Sequence, residues 1–318
     1  MKVDKVYRWS AAEFGYIDKV ISRQLTHKNI TKYDKTGRAP IHYIAENGMF
    51  HHIPDNLLNS KTLLLPTADE HMTTPLHIAA QICQLHLLPK AVLTKDNLTK
   101  KNSSGDTPLH YAAYSGQLYA TSAHLTTETM LTKNQLGQTV LHYAAQGSLI
   151  TAIPKKFLTE ANLTIGDNNG VTPLHLACAL SLMQDIPNNV WTETSLTVKS
   201  TSGIAPIHWI VIKGWLHKIP KNVLTEPVMF TPYESECSSS SSSTQRLPRA
   251  AEQTALHLAK EHRQLNSLLG IEFSERIIPI VGEEWYNHNM SILTQLRQDG
   301  GVVSKVRPQS REIVELEI

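Results

Sequence analysis

One phrase recurs along this chain and constrains most of what it can fold into. GRAPIHYIA, MTTPLHIAA, GDTPLHYAA, GQTVLHYAA, GVTPLHLAC, GIAPIHWIV and EQTALHLAK set a histidine at His42, His77, His110, His142, His175, His208 and His257. The successive gaps are 35, 33, 32, 33, 33 and 49 residues. WSAAEFGYIDKV, with Trp9 one period before His42, reads as a worn earlier copy, which makes about eight units. A fixed period of this size means small units whose apolar faces are too limited to fold alone and must stack on their neighbours.

A second phrase keeps the same phase. An Ile-Pro or Leu-Pro pair follows the histidine at Ile53-Pro54, Leu88-Pro89, Ile153-Pro154, Ile186-Pro187 and Ile219-Pro220. A Leu-Thr or Trp-Thr pair then opens at Thr94, Thr159, Thr192 and Thr225, and an apolar residue returns at Leu63, Leu98, Leu131, Leu163, Leu196 and Met229. In GDTPLHYAA, Gly105 permits positive φ at the end of a tight turn. Thr107 is suited to cap a helix N-terminus, and Pro108 at the first helical position gives up no useful N–H. Leu109, Ala112 and Ala113 share one face, small enough for a neighbouring helix to approach closely. The proline in the following apolar segment should start or kink a second helix. One unit therefore predicts a turn, a short helix, a return helix and a projecting loop.

The unit resembles the ankyrin repeat. The match rests on TPLHxAA at residues 74–80 and 107–113, on TPLHLAC at 172–178, and on four further copies that keep the histidine; it covers roughly residues 5 to 270. The resemblance implies an all-α ankyrin-repeat solenoid of about eight helix-turn-helix units with projecting loops, followed by a short C-terminal helical and flexible tail. The Ile-Pro in the second helix departs from the family's longer, uninterrupted one. The layout is a degenerate N-terminal cap at 1–36, repeats at 37–230, a serine-rich flexible insertion at 231–252, a last repeat at 253–270, and a C-terminal helix and mobile tail at 271–318. The insertion accounts for the long gap between His208 and His257 and contains six consecutive serines, which bury nothing. It reads either as a neutral expansion or, with Glu234 and Glu236 before the serines, as a regulated or partner-gripping loop. EEWYNHNMSILTQLR at 283–297 predicts an amphipathic helix, with Trp285, Ile292 and Leu296 on one side and Met290 and Leu293 adjacent, docking on the last repeat. The final REIVELEI alternates like a strand, either a frayed terminus or an edge for a partner's sheet.

Bulk properties narrow the function. Lys+Arg number 30 against 28 Asp+Glu, so no general electrostatic grip on nucleic acid or membrane is built in. Cys83, Cys178 and Cys237 are odd in number and unpatterned, which fits a reducing compartment. The start MKVDKVYRWS lacks a signal-peptide apolar stretch, and no window approaches the roughly 18 apolar residues of a membrane span. These features predict a soluble, cytoplasmic, monomeric chain. No phosphate loop, nucleophile elbow, dinucleotide fingerprint or HExxH appears, so we expect neither an enzyme nor a cofactor. Of the 16 histidines, seven are the repeat histidine. Stacked helices lie roughly 8–10 Å apart, too far for neighbouring imidazoles to share an ion at about 2 Å. We therefore expect no metal; the ankyrin resemblance gives these histidines a hydrogen-bonding role toward the turn and the neighbouring loop.

In the ankyrin arrangement the first helices and loop tips line a concave groove. The residue after each histidine and the one three further on share a helix face, and together they predict an aromatic ladder at Tyr43, Tyr111, Tyr114, Tyr143 and Trp209. Half-buried packing between helices is the competing reading of these positions. Loop tips add Lys35, Arg38, Asp106, Lys133, Gln135, Asn168, Asn169 and Lys199 as polar contacts, of mixed sign. The function expected is a scaffold or adaptor that binds a protein partner on this groove. The alternative is a targeting subunit or host-directed effector in which the repeats address an activity carried by residues 271–318.

Overall fold

The computed structural model describes residues 25–233 and 253–298. The copy around Trp9, the serine tract with Glu234 and Glu236, Cys237, the Leu296 side chain and the terminal strand-like segment lie outside the described residues. The chain divides into two compact units, Met1–Pro187 and Asn188–Ile318.

Each histidine phrase forms a seven-residue helix. These are α1 (Pro40–Glu46), α2 (Pro75–Gln81), α3 (Pro108–Tyr114), α4 (Val140–Gln146) and α5 (Pro173–Ala179) in the first unit, and α6 (Pro206–Ile212) and α7 (Ala255–Glu261) in the second. Proline opens all but α4 and α7, where its missing N–H costs no bond. In the first unit α1 packs on α2, α2 on α3, α3 on α4 and α4 on α5. All seven helices stop the same way. The residue six after the histidine turns left-handed, at Gly48, Cys83, Gly116, Ser148, Ser181, Gly214 and Arg263. The next amide then reaches back to a carbonyl inside the helix, as in Gln117 N to Ala112 O at 2.7 Å and Leu149 N to Ala144 O at 2.8 Å.

The proline interrupts the return half of the unit, as expected, but two 3-10 turns and a one-turn α-helix stand where a started or kinked helix was expected. After α4 come a 3-10 turn at Ile150–Ala152, an extended Ile153 (ψ 128°), Pro154, a second 3-10 turn at Lys155–Phe157, and a one-turn α-helix at Glu160–Leu163. Proline holds the residue before it in the extended region and donates no bond of its own, so a helix cannot pass through. The repeat of His110 supplies the comparison: it lacks Ile-Pro, and there one 3-10 segment runs unbroken over Leu118–His124.

The one-turn helices have a common lock. Thr94, Thr126, Thr159 and Thr192 accept a bond from the amide three residues on, and that third residue donates back to the chain just before the turn. Asn97 Nδ2 binds Val92 O at 2.7 Å, Asn162 Nδ2 binds Phe157 O at 3.0 Å and Ser195 Oγ binds Val190 O at 2.7 Å. Leu63, Leu98, Leu163, Leu196 and Met229 behind these turns are wholly buried, as their phase predicts. Leu131 is the exception. Its repeat is one residue short, so Met130 takes the buried place and Leu131 is left half-buried.

In the second unit Pro232 pairs with Thr254 and Tyr233 with Gln253, an antiparallel bridge that closes the base of the long insertion. The helix Glu283–Gln298, α8, packs on the preceding Ile278–Val281 turn, which packs on α7. Its buried positions are Asn289 and Leu293, while Trp285, Met290 and Ile292 are half-buried. Asn289 Oδ1 accepts from Gly270 N at 2.8 Å and its Nδ2 donates to Ile271 O at 2.9 Å. A polar residue thus sits at the centre of the docking face, where an apolar pattern does not look for one. Among the described residues no helix is long and apolar enough to cross a membrane.

Candidate partner-binding face

The repeat histidines set the spacing of the face. In each phrase Nδ1 accepts the amide of the residue three before it, at 2.9 Å for His42 and His208 and 3.0 Å for His142. Nε2 therefore carries the proton, and it donates either to the carbonyl that closes its own unit, His42 to Leu65 at 2.9 Å and His208 to Thr231 at 3.0 Å, or to one in the turn of the following unit, His77 to Asp106 at 3.1 Å, His110 to Gln138 at 3.2 Å and His142 to Val171 at 2.9 Å. His175 and His257 accept the Thr172 and Thr254 amides in the same manner. Burial disfavours the imidazolium, holding His42 and His142 below their ordinary pKa and lowering His77 and His110 to about 4. Among the described residues no group of three His, Cys, Asp or Glu side chains is placed to hold a metal ion.

With the histidine face and the two positions behind it buried, the first helices α1 to α6 keep one narrow opening, whereas in α7 Leu258 is buried and Lys260 and Glu261 are exposed. In α1, α3, α4, α5 and α6 five of seven residues are buried, and the two that are not lie one and four after the histidine. They are Tyr43 and Glu46, Tyr111 and Tyr114, Tyr143 and Gln146, Leu176 and Ala179, and Trp209 and Ile212. Tyr114 is 50% exposed; Tyr43, Tyr111, Tyr143 and Trp209 are half-buried. In α2 the stripe is narrower, since Ile78 is buried and only Gln81 is open.

The half-buried tyrosines are held from both sides. The Tyr111 and Tyr143 rings meet edge to face, centroids 6.2 Å apart, and each also meets the histidine of the preceding unit, His77 at 6.0 Å and His110 at 5.0 Å. Their hydroxyls converge on Asp106: Tyr143 Oη donates to Oδ1 at 2.7 Å and Tyr111 Oη lies 3.5 Å from Oδ2. Asn134 Nδ2 donates to the same Oδ1 at 2.8 Å, and Asn102 Nδ2 lies 3.4 Å from the Tyr111 hydroxyl. Burial first, then the Asp106 charge for Tyr111 and the hydrogen bond to Asp106 for Tyr143, push both phenols above their usual pKa. Tyr43 is set differently. Its hydroxyl donates to Asp34 Oδ2 at 2.9 Å, and the Arg38 guanidinium lies 4.7 Å from its ring centroid while pairing with Glu46.

The loop-tip residues divide. Asp106, expected at a tip as a partner contact, is buried at 6% exposure because its carboxylate is turned onto the two phenols. Arg38 is half-buried over Tyr43. Lys35, Lys133, Gln135, Asn168, Asn169 and Lys199 are exposed, but three of them already tie neighbouring turns together. Lys133 Nζ donates to Gly166 O at 3.0 Å, Gln135 Nε2 to Ser103 O at 2.6 Å and Asn168 Nδ2 to Gln135 O at 2.8 Å. Leu136 stands between them at 62% exposure.

Sequence reasoning missed Asp34, Asn102 and Asn134. Their signal was an Asp or Asn three residues before the turn glycine, in DKTG, NSSG and NQLG. The side-chain oxygen of each holds two amides of its own turn, as Asn134 Oδ1 does for Leu136 N and Gln138 N. In the asparagines the NH2 group is thereby aimed at the tyrosine hydroxyls. No family model matches this chain, and no curated protein matches it either.

Proposed function

We propose that this chain is a protein-binding scaffold of the ankyrin-repeat type, taking its partner on the stripe left open along the first helices α1 to α5 of its first compact unit. One observation carries the reading. Helices buried on five of seven positions leave uncovered the two places where tyrosines recur. Burying these outward aromatics would supply large contact area from side chains already restrained by their packing, the property that makes Tyr and Trp frequent at binding hot spots. The reading assigns the chain no catalysis, cofactor, nucleic-acid ligand or membrane ligand, and places it in the cytoplasm as a monomer.

The test is affinity capture with the full chain against a chain carrying Glu46→Ala, Gln81→Ala and Tyr114→Ala. All three side chains are exposed, so the melting temperature should stay within about 2 °C. Proteins held by the parent chain should be lost from the variant. Capture of the same set at the same yield by the folded variant overturns the reading.

A further inference from the structure

We propose that the Tyr111–Tyr143 pair with Asp106 at its hydroxyls is a receptor for one cationic side chain, an arginine presented by the protein partner. The inference rests on the scaffold reading and names the chemistry of its partner at one point of the face.

The argument starts from an internal comparison. In the first described unit a tyrosine follows the histidine (Tyr43), a carboxylate accepts its hydroxyl (Asp34) and a guanidinium lies over its ring (Arg38, 4.7 Å from the centroid). In the third and fourth units tyrosines again follow the histidine (Tyr111, Tyr143) and a carboxylate again meets their hydroxyls (Asp106). The third component is missing. The residue four before the histidine is Arg38 in the first of these units and Asp106 in the third, so the position that supplies the cation in one supplies the anion in the other. Among the described residues no lysine or arginine lies over Tyr111 or Tyr143, and none forms an ion pair with Asp106. The two nearby tip lysines are engaged elsewhere, Lys101 with Lys133 O at 2.8 Å and Lys133 with Gly166 O at 3.0 Å.

The electrostatics point the same way. A carboxylate buried without a countercharge keeps its field, since little water is present to screen it. Its hydrogen bond pulls the Tyr143 phenol proton toward Oδ1 and leaves that ring richer in electrons, and its charge acts on the Tyr111 hydroxyl 3.5 Å away. A guanidinium set against the exposed part of these half-buried rings then meets the negative side of their quadrupoles, with the Asp106 charge at the hydroxyl end. Arginine suits the site better than lysine because its planar group stacks on a ring and sheds its hydration more readily.

The probe is N-acetyl-arginine amide, titrated into the full chain labelled with 13C-tyrosine and followed at the Tyr111 and Tyr143 ring signals, assigned through Tyr111→Phe and Tyr143→Phe. N-acetyl-citrulline amide, the same shape without charge, is the control. Saturable shifts at both rings with arginine and none with citrulline are expected. Asp106→Asn keeps acceptors for Tyr143 and Asn134 and removes the charge, and should weaken the arginine response about tenfold. If that variant does not fold, the arginine and citrulline arms on the parent chain still decide. Equal responses to the two probes, or none, overturn the inference. If partner capture nevertheless depends on Tyr114, the scaffold reading stands without it; if capture is also indifferent to Tyr114, both fall.

Discussion

At the scale of single residues the backbone makes demands that the sequence meets unevenly. Five residues before the repeat histidine the turn needs positive φ, and Gly37, Gly105, Gly137, Gly170 and Gly203 supply it. In the second described unit the same place is taken by Met72 at φ 49°, 51% exposed, with a side chain that gains little there. Met72→Gly should raise stability by about 1 kcal/mol, since the left-handed penalty exceeds the entropy a glycine adds to the unfolded chain. Gly147 is the opposite case. Its φ is ordinary, but a Cβ there would stand 2.3 Å from Tyr114 O, against backbone that cannot move aside. Gly147→Ala should cost upwards of about 2 kcal/mol, as strain or as a displaced α3–α4 contact. Urea denaturation of both variants beside the parent chain checks the pair; the same sign for both would show that close approach and φ are not what distinguishes them. Asp106 marks a limit of sequence reading at this scale. A charged residue beside a turn glycine is ordinarily solvated, and only the convergence of hydroxyls from two different helices reveals that this one is not.

At the scale of elements, the histidine helices were legible because cap, proline and apolar spacing agree within seven residues. The return half was legible only in part: the Ile-Pro marks where a helix must break, but not that the pieces on either side wind as 3-10 turns. The comparison of Lys155–Phe157 with the unbroken Leu118–His124 shows the proline making that break. Register was readable to within one residue: Leu131 had the right phase by counting, and the deletion in its repeat gave the place to Met130. The one-turn helices, at four or five residues, are too short to persist by propensity alone. Their stability is expected to come from the back-bond of the third residue. Asn162→Ala should therefore cost about 1–3 kcal/mol, the penalty for leaving the buried Phe157 carbonyl without its donor. Asn162→Ser should recover part of it, because Ser195 performs the same task in the next unit. Chemical denaturation of the two variants distinguishes this from a simple loss of packing, which serine would not restore.

For the whole molecule, the histidine ladder ties stability to pH. The first unit contains His42, His77, His110 and His142, all held neutral by burial, with His77 and His110 lowered from 6.5 to about 4. The unfolded chain takes up protons near pH 6.5 and the folded one only near 4, so between these values the unfolded state binds more. This contribution is complete above about pH 6.5 and is lost progressively as pH falls toward 4. A shift of that size corresponds to roughly 3 kcal/mol for each of the two most buried histidines. The melting temperature should fall steeply from pH 6.5 to 4.5, before most exposed carboxylates titrate, and a flat profile in that range would contradict the neutral, Nε2-protonated ladder. The period of the repeat and its mainly helical character were thus readable from one sequence, whereas the division at Pro187–Asn188, part-way through the unit that follows His175, was not. Nothing in the local pattern changes there.

The pairing of Pro232 with Thr254 and of Tyr233 with Gln253 has a practical consequence. Departing and returning backbone meet at one point, so the number of amino acids between them is uncoupled from the phase of α6 and α7. A fluorescent module or an epitope spliced into that interval would ride on the protein as a passenger, reporting on it without shifting the register of the helices on either side.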